Sequence, residues 1–134
     1  MGRLMRRIDD GKLIDMLNVV ASVCAEAGVE PKDMILPKRS HERYSRTYKT
    51  AIVALRVKGY SWLSIAEVTG KTHSTAIDKL NTWAMDFRHH ADTKRTLRAA
   101  GFSEDELAAV DKIFYDRRTA LESRSAIHTG EAAI

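Results

Sequence analysis

Apolar residues in this chain recur at three- and four-residue spacing, and no stretch alternates apolar with polar as a half-buried strand does. Leu13, Leu17, Val20, Val23, Cys24 and Ala27 form one stripe and predict a helix over roughly 9–27. Gly28 is placed to end it in a left-handed conformation. Glu30-Pro31-Lys32-Asp33 reads as a short helical turn opened by proline. Residues 37–43, PKRSHER, form a polar, basic linker. Tyr44, Tyr48, Ala51, Ile52 and Leu55 then share a face of a second long helix that ends near Lys58-Gly59. Ser61 caps a short third helix carrying Leu63, Ile65, Ala66 and Val68, and Gly70 breaks it. Thr72 caps a fourth, with Ile77, Leu80, Trp83, Ala84 and Phe87 inward.

Residues 88–100 admit two readings: a continuation of the fourth helix, or a loop and a separate short helix closed by Gly101. Ser103-Glu104-Asp105-Glu106 is a capping box that starts a final helix. That helix carries Leu107, Val110, Phe114 and Leu121 and is expected to end near 123. The small, polar tail from Ser125 is expected to be disordered. The fold class is all-α: a helix-turn-helix bundle over 1–87, a C-terminal helical extension over 88–124 and a tail over 125–134.

A length of 134 residues suits one domain with a real core. No apolar run is long enough to span a bilayer. The segment MGRLMRRIDD lacks the apolar stretch of a secretion signal, and Arg6 stands where a myristoylation motif wants a hydroxyl. The single Cys24 has no intramolecular disulfide partner. The expected location is cytoplasmic and nucleoid-associated. The net charge of +4 is mild, but its distribution is uneven. Lys38, Arg39, Arg43, Arg46, Lys49, Arg56 and Lys58 crowd around one acid, Glu42, whereas the region from Glu104 onward is net acidic. This predicts a basic front and an acidic back.

Function concentrates in residues 59–83, where two short helices meet at a glycine turn. The second opens with Lys71, Thr72, His73, Ser74 and Thr75, small hydrogen-bonding and basic side chains. A helix N-terminus presents free amides and partial positive charge to a phosphate. The first turn of a recognition helix meets base edges in the major groove, where these residue types can donate and accept. In the commonest helix-turn-helix spacing, Ala76 and Lys79 would point inward; placing Ile77 and Leu80 there instead implies a turn one residue longer.

The run Gly70-Lys71-Thr72-His73-Ser74-Thr75-Ala76-Ile77 resembles the motif of the C-terminal, Trp-repressor-like DNA-binding domain of the bacterial replication initiator DnaA. VVASVCAEAGVEPKDMILPKRS and YSRTYKTAIVALRVKGYSWLSIAEVTG are similar to the elements preceding that motif, so the likeness covers residues 13–83. The resemblance implies double-stranded DNA as partner, with His73 and Ser74 on bases and Lys38 and Arg39 in the neighbouring minor groove. It further implies Arg46, Lys49 and Arg56 on phosphates, and Trp62 and Leu63 on the backbone or a thymine methyl. Arg43, Lys71, Thr72 and Thr75 complete the expected interface. Two departures stand out. Thr72 replaces the acidic residue that accepts from a cytosine amino group, and no phosphate loop or ATPase module is present.

Adjacent His89 and His90, with His41, lack supporting cysteines or carboxylates, so no metal and no cofactor are expected. No nucleophile–base arrangement points to an enzyme. A transcriptional regulator or replication-associated factor of phage or mobile-element type is the expected role. Two further partners are open: a second copy through the C-terminal helix, and a host replication or transcription protein. The rival function is a protein-interaction module, an adaptor or inhibitor of a host polymerase or initiator, that keeps the fold without binding DNA.

Overall fold

The computed structural model describes residues 9–35 and 42–133. Within them the order is α1 (Asp10–Ala27), α2 (Pro31–Ile35), α3 (Glu42–Val57), α4 (Trp62–Thr69), α5 (His73–Trp83), α6 (Phe87–Ala99) and α7 (Glu104–Ala133). The all-α class follows directly: the described residues contain no strand.

Local chemistry explains the boundaries. The Asp9 carboxylate accepts from the Lys12 amide at 2.8 Å and caps α1, and Gly28 ends it at φ 71° with its N–H returned to the last turn. Ser61 caps α4, and Gly70 at φ 72° closes it. A side chain at Gly70 would place Cβ against the carbonyl that the left-handed turn requires. The Ser103–Glu106 box is reciprocal: the Ser103 hydroxyl accepts from the Glu106 amide, and the Glu106 carboxylate accepts from the Ser103 amide at 2.9 Å.

α3 is the central element, with Tyr48 and every residue from Thr50 to Leu55 buried. α1, α5, α6 and α7 pack around it. One core cluster runs from Met16, Val20 and Val23 of α1 through Ile52 and Leu55 to Leu97, Phe102, Leu107, Val110 and Phe114. α6 and α7 therefore complete the core that α1–α5 begin.

Several expectations change. α3 starts at Glu42, so Glu42 and Arg43 belong to a helix and not to the linker; Glu42 pairs with Arg46 one turn on. On α1, Met16 is fully buried and Leu17 is 44% exposed, so Met16 takes the place of Leu17 in a stripe whose other members, Leu13, Val20, Val23, Cys24 and Ala27, stay on the core side. Leu63 points out of α4 at 54% exposure. On α5 the inward stripe is Ala76, Leu80 and Trp83, with Ile77 only half-buried. Three residues, Gly70 to Thr72, join α4 to α5, an ordinary helix-turn-helix connection and not the longer one expected. Phe87 is 54% exposed because the chain turns at 84–86 and restarts as α6, capped by Asp86. Residues 88–100 thus belong to a separate helix. The backbone of α7 continues helically to Ala133, in place of the stop near 123 and the disordered tail.

Candidate nucleic-acid interface

The first turn of α5 is built outward. The Thr72 hydroxyl accepts from the Thr75 amide at 3.1 Å and donates to the Thr75 hydroxyl at 2.9 Å. Its own side chain therefore satisfies one of the free amides, and His73 and Ser74 stand exposed beside it. Half-buried Lys71 holds its ammonium 5.5 Å from the centroid of the buried Tyr48 ring, which ties this turn to α3. Asp78 lies exposed one turn after Ser74, so the open face of α5 also presents a carboxylate, an acceptor suited to a cytosine amino group.

The cations of α3 divide into two groups. Arg46 and Lys49 face α6. Arg46 donates to the Asp92 carboxylate at 2.7 Å and to Glu42 at 3.4 Å, and Asp92 also pairs with Arg95. Burial, then the charges of Lys79 and Arg46, hold the Lys49 ammonium below its ordinary range. Arg56 instead lies toward α7: its guanidinium stacks on the Trp62 ring at 4.7 Å and donates to the Tyr60 carbonyl at 2.9 Å. Trp62 is half-buried beside Leu80, at the far end of α4 from the turn that presents His73. Arg43 donates to the Gly28 carbonyl at 3.2 Å. Lys38 and Arg39 lie outside the described residues.

The structure therefore gathers Lys71, Thr72, His73, Ser74 and Thr75 into one turn, in which Thr72, His73 and Ser74 are exposed and Lys71 and Thr75 half-buried. It sets Arg56 and Trp62 apart from that turn and turns Arg46 into an ion pair. The basic front is also partly neutralised from behind, because Lys58 pairs with Glu106 of α7 at 2.7 Å. Asp78 and Lys79 of α5, with Lys79 acting on Lys49, and Arg117 beside Arg56 are charged neighbours that the sequence reading does not place. Arg117 in particular had no sequence signal, because it lies in the stretch read as the acidic back.

Beneath α3 a buried polar chain links Trp83 Nε1 to Thr93 Oγ1 at 2.9 Å, Thr93 to Thr50 at 3.3 Å, and Thr50 to His89 Nε2 at 3.4 Å. Burial, with the charges of Arg46 and Lys49, pushes the His89 imidazole down to about 4, so it is neutral at ordinary pH. Burial pushes the Cys24 thiol up to about 11, which keeps it protonated and weakly nucleophilic. Among the described residues, no group of three or more His, Cys, Asp or Glu is placed to hold a metal ion. None of the described helices is long and apolar enough to cross a membrane. Comparison with protein-family models, curated proteins and solved structures finds no match for this chain.

Proposed function

We propose that this protein binds double-stranded DNA in a sequence-dependent way, inserting the first turn of α5 into the major groove. The observation that carries the reading is the division of α5 into two faces. Ala76, Leu80 and Trp83 anchor it in the core, while His73 and Ser74 stand free at its start. A recognition helix needs that arrangement, because a side chain that holds the fold cannot also track a base edge. The crowded cations Lys49 and Lys79 and the Arg56 guanidinium add charge for the phosphates. The likeness of Gly70–Ile77 to the DnaA motif supports a duplex box as the target. In this reading the protein acts as a transcriptional regulator or replication-associated factor of phage or mobile-element type, located on the nucleoid.

The test is fluorescence anisotropy with a labelled DnaA-box duplex, a scrambled duplex and a randomised pool, each titrated with salt. Sequence-dependent binding with a salt slope of roughly −0.9 per phosphate contacted supports the reading. Absence of binding at low salt overturns it. A second reading, a protein-interaction module, is favoured by one patch: Met85, Phe87 and Tyr115 are each more than half exposed around the α5–α6 turn and α7. Retention on DNA resin at moderate salt separates the two, since a pure protein-binding module runs through.

A further inference from the structure

Arg56 of α3 and Arg117 of α7 line the same cavity, about 310 Å³ in volume, with Trp62 at its side and Leu80 and Ile113 supplying apolar walls. Both arginines are half-buried. Among the described residues, neither has a carboxylate within ion-pair distance, whereas Arg46, Lys58, Lys94 and Arg118 all do. Asp116 also borders the cavity, but its carboxylate is held by Lys112 at 2.7 Å.

The fold thus sets two like charges on one partly desolvated cavity whose bordering carboxylate, Asp116, is paired with Lys112 and with neither arginine. Such an arrangement is unfavourable by itself. Stacking on Trp62 and donation to the Tyr60 carbonyl hold the Arg56 guanidinium in a fixed plane. Burial and the Arg117 charge both disfavour its charged form. An oxyanion bridging the two forks would relieve the repulsion, and planar guanidinium groups match phosphate oxygens in bidentate fashion.

We propose that Arg56 and Arg117 form a two-guanidinium site for a single phosphate, supplied by the backbone of the bound duplex. The proposal rests on the DNA reading above and extends the protein's footprint onto α7, which the charge pattern assigned to the acidic back. Duplex is favoured over a free anion because Leu80 of α5, about two helical turns after His73, lines this cavity and so sets it along the helix that carries the exposed turn.

The experiment compares wild-type protein with Arg117→Gln, and with Arg98→Gln as an equal change of charge on exposed α6, after thermal melts establish that all three fold. The expected result is that R117Q weakens specific and scrambled duplexes alike and flattens the salt slope by about 0.9, while R98Q keeps the wild-type slope. An R117Q slope equal to wild type overturns the phosphate site and leaves the DNA reading standing. If wild type binds no duplex, the DNA reading falls, and the arginine Nε–H resonances are then followed during titration with inorganic phosphate. Joint movement of Arg56 and Arg117 keeps the oxyanion site with a free anion as its source. No movement overturns it.

Discussion

Trp83 joins three helices through one side chain. Its Nε1 donates to Thr93 of α6, and its ring meets Phe114 of α7 edge to face at 5.3 Å. Thr93→Val keeps the shape and removes the acceptor, leaving a buried N–H unpaired. Chemical denaturation is expected to show a loss of about 1–3 kcal/mol. His89, at the other end of the same polar chain, gives a pH dependence. Its folded value near 4 lies below the ordinary 6.5, so between those limits the unfolded chain binds a proton that the folded one refuses. Stability therefore falls as pH drops through that window, by up to about 3 kcal/mol from this group. His89→Gln is expected to remove that component in equilibrium unfolding followed against pH. At the proposed DNA interface, His73→Ala and Ser74→Ala are each expected to cost about 1–3 kcal/mol at one base-pair position. Binding to a panel of single-substituted duplexes reads the effect, and unchanged preference in both variants would remove this turn from the interface.

Among the elements, α6 shows where the apolar pattern loses sight of the fold. Its buried positions are His89, Thr93 and Leu97, so two of three inward side chains are polar and satisfied only by partners on other helices. Hydrophobic periodicity cannot register such a face, which is why 88–100 stayed open between two readings. The cap at Asp86 is the local sign that remains, its carboxylate accepting from the His89 amide at 3.0 Å. Asp86→Ala is expected to lower stability by about 1 kcal/mol, with fraying seen first in amide exchange of α6. Elsewhere the pattern served well: the caps at Ser61, Thr72 and Ser103 and the glycine stops at 28 and 70 stand where they were read. Errors of one position arose where apolar neighbours compete, as at Met16-Leu17 and Ala76-Ile77. The exposed turn of α5 was legible because it depends on neighbours in sequence. The ion pairs of Arg46 and Lys58 were not, since their partners lie 46 and 48 residues away.

For the whole molecule, the decisive fact is that α6 and α7 share a single core with α1–α5. Leu97, Phe102, Leu107, Val110 and Phe114 are all buried in that cluster. A fragment ending at residue 87 would expose Trp83 and the α7-facing side of α3. Calorimetry is expected to show a cooperative transition for the full chain and none for the fragment. A cooperative melt of the fragment would instead make the C-terminal helices a true extension. Synthesis gives the shared core a cost in time. At roughly 5–20 residues per second, α1–α5 wait several seconds for Phe114 to be made. Throughout that interval the helix proposed to read DNA stands on an unfinished platform, its apolar underside open to chaperones and to other nascent chains. A chain cut short before Phe114 would therefore carry all of α4 and α5 yet lack the α7 side chains that close the core against them.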